Sequence, residues 1–448
     1  MGRFVSVDRS TDYLLPPSVE EWLPPGHLAR LVVEVTERLE LSTLEQAYAS
    51  RGSDAHHPSV LLGLLIYGYA TGVYSSRAIE RASYDSVAFR YIAANTHPDH
   101  DTINTFRSRF LEEIKALFVQ VLEIAAEMKL LNLGTISLDG TKVKANASRH
   151  SALSYGHAKT LREKLVAEVA ELMRRAEAAE ALPDHVSLPE EMERRKTRLA
   201  ALEQAIAKIE AQASAREARE AAEFKTKQAH REALKAQGKK PRGPDPKPPE
   251  GGPRDKDQIN LTDEESRIMK VSGGGFDQAY NAQAAVDAQS LLIVGRDVTQ
   301  AVNDKGQVQP MLGELLDLPK SLGEATTLLA DTGYFSQANV EACVQAGIEP
   351  LIAAGREAHH LSLQERLAPP PPLPAAADAL TRMKHTLNTP EGRARYGRRK
   401  CTVEPVFGIV KQVMRFRQFL LRGLTKVKGE WNLVCLAWNV KRMAVLAG

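Results

Sequence analysis

Hydrophobic positions change their spacing several times along the chain. From about residue 15 to 125 they recur at helical intervals: HPSVLLGLLIYGYATG is one apolar run, and SSRAIERASYDSVAFRYIAAN opens on a Ser start signal before apolar residues three and four apart. Residues 1–130 therefore read as an all-α N-terminal domain. The stretch ISLDGTKVKANAS, residues 136–148, is different, a short strand-like run at whose end stands Asp139, followed by Lys142 and Lys144. Helical spacing then returns. Leu161, Leu165, Val169 and Leu172, and later Leu199, Leu202, Ile206 and Ile209, step by three and four on either side of a segment holding Pro183 and Pro189. This predicts two antiparallel helices with a coiled-coil-like seam. Six prolines among Lys, Gly and Asp between Gly238 and Asp257 read as a linker with no core of its own. Residues 152–257 are thus predicted to be a helical-hairpin insertion plus linker.

Beyond the linker, strand and helix patterns alternate. YNAQAAVDAQSLLIVGRDVT predicts a hairpin turning near Asp287 to Ser290, DKGQVQPMLGELLDL an amphipathic helix, and EATTLLADTGYFS an apolar strand ending in Asp331. QANVEACVQAG predicts a helix closed by Gly347, IEPLIAA a strand, and TVEPVFGIVKQVMRFRQFLL a helix with Thr402 at its N-cap and Pro405 in its first turn. With the insertion removed, the order is strand, hairpin, helix, strand, helix, strand, helix. That is an α/β RNase H-like arrangement, in which 131–151 and 258–448 form one catalytic domain.

In such a fold Asp139 acquires partners. Asp331 ends a second strand and Glu404 opens the last helix, so three carboxylates can converge at one end of the sheet. Taken singly, each has a plain reading: a turn residue, an Asx-turn in DTG, and a first-turn acid favoured by the helix dipole. Together they offer the hard oxygen ligands that two divalent cations about 3.5 to 4 Å apart require for phosphoryl chemistry. With no Cys or His beside them, Mg2+ is favoured over zinc, and Mn2+ is compatible. His56, His57, His97 and His100 lack a ligand spacing and read as caps or polar contacts.

Composition adds less than charge placement does. At 448 residues, 43% hydrophobic and 26% charged, the chain is an ordinary globular one of two or three folded units. Cys343, Cys401 and Cys435 are too few and scattered for a disulfide framework, the N-terminus has no apolar signal-like core, and no stretch approaches a membrane span. A cytoplasmic protein with no membrane partner is expected. The net charge of +3 conceals a strong asymmetry: fifteen Lys or Arg against three Glu lie between Thr381 and Arg442, interleaved with Tyr396, Phe407, Phe416 and Phe419. Such a segment favours a polyanion such as nucleic acid, its alternative being a solvated basic tail.

These residues resemble a known family. SLDGTKVKANAS, YNAQAAVDAQSLLIVGRDVTQAVNDKGQVQPML, LADTGYFS and RYGRRKCTVEPVFGIVKQVMRFRQFLLRG are similar to the DDE transposases of bacterial insertion sequences, and the helical region from His57 to Phe110 resembles their InsH-like, DNA-binding N-terminal domain. The resemblance implies an RNase H-like nuclease that uses Asp139, Asp331 and Glu404 with magnesium to cut and join DNA at element ends. It also implies binding of terminal inverted repeats and target DNA, action as a homodimer, and a place at the bacterial nucleoid. Tyr396, Arg399 and Lys411 match the helper residues around the catalytic Glu, and Lys142, Lys144, Arg415 and Arg417 join them as DNA contacts. Two departures stand out. Four residues rather than three separate Arg399 from Glu404, which leaves Arg398 and Lys400 as rivals, and Glu264 occupies a position where Pro is expected beside Asp263 and Arg267. A metal-dependent nuclease without strand transfer, or a transposase-derived DNA-binding protein, is the alternative expectation.

Overall fold

The first acid lies in mid-strand rather than at a strand end. Pairing with β5 continues past Asp139 and Val143 is again buried, so β1 runs the full length of Leu133–Lys144. The computed structural model describes residues 18–48, 55–177, 187–236, 238, 241, 244–271, 273–355, 372–374 and 376–448. In chain order the other strands are β2 (Ala152–Ser154), β3 (Gln258–Asn260), β4 (Arg267–Lys270), β5 (Phe276–Asp287), β6 (Ile293–Thr299), β7 (Gly323–Ala330) and β8 (Glu349–Ile352). The chain divides into two compact units, one formed by Met1–Ala145, Met269–Gly275 and Ala279–Gly448, the other by Asn146–Ile268 and Phe276–Gln278.

The first unit is organised by a mixed sheet. β1 pairs antiparallel with β5, placing Asp139 opposite Ala284, and parallel with β7, placing Leu138 opposite Ala330. β6 extends the antiparallel side through β5, β8 extends the parallel side through β7, and β4 lies alongside β5. The β5–β6 turn falls where the sequence predicts it: the Asp287 carboxylate accepts from the backbone of Gln289 and Ser290 and from the Ser290 hydroxyl. Gly347, at φ +74, follows the helix Gln337–Gln345, a conformation that glycine adopts without Cβ strain.

The final helix departs from expectation. The run TVEPVFGIVKQVMRFRQFLL is helical only over Val403–Gln412. It then becomes a strap along the far end of β1, where Lys144 N–H donates to Arg417 O and Phe419 N–H donates to Lys144 O. Phe416 and Phe419 are buried at 1% and 0% exposure, and their side chains, edge-to-face with each other, favour the strap over a continued helix. Thr402 does occupy the N-cap position, but its hydroxyl donates to Arg398 O instead of capping the helix.

A second helix, Leu424–Ala447, follows and is the spine of the unit. Nearly every residue from Val427 to Val440 is buried, because one side meets the sheet and the other meets the N-terminal helices. Trp431 Nε1 donates to Gln283 O, Asn439 bonds both backbone groups of Ile293, and Asn432 Nδ2 reaches Ile114 O. Gly429 permits the close crossing: a Cβ there would stand 2.7 Å from Leu111. The N-terminal helices Pro58–Thr71 and Leu111–Glu127 pack on this spine. His57 caps the first of these, accepting from Ser59 N–H, and Ser75 caps the helix Ser76–Asp85, accepting from Ala78 N–H, as the sequence suggested.

The second unit is built on the seam read from the sequence. Leu165, Leu202, Ile206 and Ile209 form a core closed by Leu153 of β2 and Ile259 of β3, between the helices Tyr155–Glu177 and Leu188–Ala236. Past the contact of Tyr155 with Glu210 the longer helix continues, and the proline-rich chain returns along it through Arg231 to Asp245 and Arg216 to Asp257. Glu264, the unexpected acid, binds Lys208 of this helix at 2.6 Å.

One buried carboxylate ties the N-terminal helices to the strap. Glu430 accepts from the Tyr69 hydroxyl at 2.9 Å and from the Leu420 and Leu421 N–H groups, and burial pushes its carboxyl above the usual range, against the pull of those donors and of Arg107. Glu430→Ala strands three buried donors, so a loss of about 3 kcal/mol is expected, with Glu430→Gln losing less because the amide oxygen still accepts. Urea midpoints of the two variants check this, and equal midpoints with wild type would refute it.

Candidate active site

The parallel register of β1 and β7 brings two acids together. Asp139 and Asp331 each follow the last paired residues, Leu138 and Ala330, on strands that lie about 4.8 Å apart. Asp331 also makes the local turn expected of DTG, its Oδ1 accepting from Gly333 N–H at 2.8 Å. Asp139 is held by Gly140 N–H, which donates to its Oδ1 at 2.8 Å. Burial pushes the Asp139 carboxyl up to about 6; the charge of Asp331 acts in the same direction, while the Gly140 N–H and Arg399 oppose it.

The third acid comes from another element. Glu404, in the first turn of Val403–Gln412, meets Arg399 at 2.8 Å, and the same guanidinium reaches Asp139 at 3.7 Å. Arg399, only 12% exposed, therefore joins the first and third acids, while the rivals Arg398 and Lys400 are not brought to them. Burial works to lower the Arg399 pKa, but Tyr396, Glu404, Asp139 and Asp331 outweigh it and hold it above its ordinary value. Tyr396, half-buried, lies beside Arg399, and burial raises its phenol. Lys411 reaches β1 from the same helix as Glu404, its Nζ donating to Lys142 O at 3.1 Å and to the Thr141 hydroxyl. Burial and the nearby Lys142 lower its pKa.

Among the described residues no three His, Cys, Asp or Glu side chains gather as a ready ligand cage, since Arg399 intervenes between Asp139 and Glu404. The donors themselves suit a hard cation. Asp139 and Asp331 present carboxylate oxygens on neighbouring strands, with no Cys or His beside them.

Two family models match the chain: the transposase domain (DUF772) over residues 17–109 and the transposase DDE domain over residues 247–440. The chain belongs to the DDE transposases. No curated protein and no solved structure matches it. The DDE match includes Asp331 and Glu404 but begins after Asp139, whose place in the site rests on the β1 register. Transposases of these families act on the DNA of mobile elements and depend on divalent metal ions. No single helix among the described residues of this transposase is long and apolar enough to cross a membrane.

Beside the acids lies a polar cluster that sequence reasoning missed. Asp304 accepts from Asn281 Nδ2 at 2.6 Å, from Gln283 Nε2 at 2.8 Å and from Lys142 Nζ at 3.3 Å, while the Tyr334 hydroxyl donates to Gln283 Oε1. Lys142, expected to bind DNA, is thus ion-paired within the transposase. Gly140 makes room for the cluster, because a Cβ there would come within 2.2 Å of Gln283 Nε2 and 2.5 Å of Asp304 Oδ1. The available signal was the polar pair Asn281 and Gln283, alternating with Tyr280, Ala282 and Ala284 in β5. Lys144, Arg415 and Arg417 are not brought to the acids: they lie exposed at the far end of β1 and on the strap, with Arg417 Nε donating to Lys411 O.

A carboxyl whose pKa rises on folding contributes stability that is present below its unfolded value, near 4, and is lost as pH rises through about 6. Asp139→Asn should therefore stabilise the transposase in EDTA at pH 8, by up to about 3 kcal/mol, and scarcely at pH 4. Denaturation midpoints of both proteins at the two pH values test this; a difference that does not grow with pH contradicts it.

Proposed function

We propose that this chain is the transposase of a bacterial insertion sequence, which binds the terminal inverted repeats and cuts and joins DNA strands with an RNase H-like core. Asp139, Asp331 and Glu404 are its metal-binding carboxylates, and Mg2+, with Mn2+ as a substitute, is its cofactor as two ions. The observation that carries this reading is the meeting of residues 139 and 404 at one guanidinium, next to the Asp331 strand. The mixed sheet, with β5 antiparallel and β7 parallel to the central β1, β6 antiparallel to β5 and β8 parallel to β7, supports the RNase H-like assignment.

Divalent cations held by the three acids supply the charge that activates an attacking water or 3′-hydroxyl and stabilises the leaving oxygen in an in-line displacement at phosphorus. The chain's own cations have complementary work. Arg399, presenting a planar fork of donors, suits a non-reacting phosphate oxygen better than a point charge would. Lys411 is held against the β1 backbone two helical turns from Glu404, where its ammonium can face the scissile phosphate. Tyr396 lies beside Arg399 and helps to place it. Lys142 is committed to Asp304, so its part is to anchor that cluster beside Asp139. Arg415, Arg417 and Lys144 extend the basic surface along DNA leading to the site. Both element ends are held by a homodimer.

The test is purified protein with a labelled inverted-repeat duplex, target plasmid and Mg2+. Asp139→Ala, Asp331→Ala and Glu404→Ala should each reduce cleavage by at least 1000-fold while leaving binding within a few fold, since each removes a ligand and not a phosphate-binding cation. Joined products support the transposase; nicks alone in wild type would reduce it to a nuclease, and shifts alone to a binding protein. A variant that cuts normally removes its residue from the site.

Lys411→Gln should lower the cleavage rate at saturating DNA more than it weakens binding. An unchanged rate returns Lys411 to a structural role in bracing β1.

A further inference from the structure

A stripe of side chains on the N-terminal helical region has no part in the site so far described. The helix Ser76–Asp85 buries Ile79 and Ser83. Its other face carries Arg77, Arg81 and Tyr84, spaced four and three residues apart and therefore aligned. Arg77 and Arg81 are exposed and make no ion pair among the described residues. Neighbouring arginines are engaged: Arg90 lies over the Trp22 ring and binds Asn95, Arg107 is buried against Tyr69 and Tyr74, and Arg109 donates to Ala47 O. Of the nearby acids, Glu80 is turned to His100 at 2.7 Å, and Asp85 closes the helix.

Tyr84 is unusual for a large ring. It is 56% exposed, yet its orientation is fixed by flat stacking on His97, with centroids 3.8 Å apart and planes 14° apart, and His97 is itself bonded to Ser83. A rigid, exposed aromatic beside two exposed guanidiniums presents the pattern that nucleic-acid surfaces use.

The chain just before this helix meets the strap. Tyr74, just before the helix, packs edge-to-face on Phe416. A Cβ on Gly72 would lie 3.7 Å from Arg415 Cδ. Arg415 is exposed and takes a left-handed φ of +62°, a conformation that long side chains rarely adopt and that clusters at functional sites. From Arg415 the strap leads to Arg417 and Lys144, and β1 leads on to Asp139. Along β1, Asp139 to Lys144 covers about 17 Å, and Arg77 to Tyr84 covers about 10 Å of helix. These lengths are on the scale of one turn of duplex, about 34 Å.

We infer that the Arg77, Arg81 and Tyr84 face, together with Arg415, is a duplex-DNA docking surface that carries the DNA backbone away from the catalytic carboxylates. Arg77, Arg81 and Arg415 contact phosphates, and Tyr84 packs on the sugar edge of the groove. This rests on the transposase reading and specifies which part of the helical region meets the substrate.

The experiment uses the full-length protein and a fluorescein-labelled 40-base-pair duplex of arbitrary sequence, titrated over a series of KCl concentrations. The double variant Arg77→Gln/Arg81→Gln should reduce the slope of log K against log salt by about two units and weaken binding at least tenfold, with an unchanged melting temperature. Arg77→Lys/Arg81→Lys should keep the wild-type slope, and Tyr84→Ala should weaken binding at least threefold where Tyr84→Phe does not. A double Gln variant with wild-type slope and affinity overturns the docking surface, as does failure of the Lys pair to retain the slope. Wild-type protein that binds no duplex at all overturns the transposase reading instead, so the two failures are distinguishable.

Discussion

Two carboxylates on adjacent parallel strands repel each other, and the candidate site of this transposase is arranged around that repulsion. Leu138 and Ala330 are the last pair of the parallel β1–β7 ladder, so Asp139, still within β1, and Asp331, just past β7, stand side by side. Burial and the neighbouring charge both push Asp139 toward its neutral form, and the structure answers with a hydrogen bond from Gly140 and with the Arg399 guanidinium. Arg399 can reach Asp139 only because the short turn preceding Val403–Gln412 holds it there, and the same turn delivers Glu404. A site assembled from like charges is poorly stable by itself and suited to binding cations. Stability given up locally at a functional site is a familiar trade.

The surroundings are correspondingly rigid. Asp304, Asn281, Gln283, Tyr334 and Lys142 form a bonded cluster on the antiparallel side of β1, leaving Gly140 no room for a side chain. Buried polar networks of this kind specify one arrangement when every member is satisfied. Behind the sheet, the helix Leu424–Ala447 holds β5 and β6 on one side and the N-terminal helices on the other, through Trp431, Asn432 and Asn439. Glu430 on the same helix fixes the strap through the Leu420 and Leu421 N–H groups. Position of the acids, rigidity of β1 and placement of the basic strap thus share one mechanical support.

Some of this was legible along the chain, and the reasons differ by element. The seam of Leu165, Leu202, Ile206 and Ile209, the hairpin turn at Asp287 and the caps at Ser75 and His57 were readable because each depends on residues close in sequence or on a simple period. The end of the last carboxylate-bearing helix was not: MRFRQFLL has helical character by itself and is diverted only because Phe416 and Phe419 find burial sites and Lys144 offers backbone partners. Asp304 was equally hidden, since an Asp in VNDKG is an ordinary loop residue until the fold sets it opposite Asn281, Gln283 and Lys142.

The sequence by itself determined the residue types and the alternation of strands and helices that carry Asp139, Asp331 and Glu404, because hydrophobic period and turn chemistry are local properties. The tertiary structure alone decided the rest. It selected Arg399 over its neighbours as the bridge between two acids 265 positions apart in numbering. It committed Lys142 to Asp304, and it left Arg77 and Arg81 exposed and without an ion pair among the described residues. Pairing of charges depends on distance in space, and only the register of β1 with its neighbours and the packing of the buried helices set those distances.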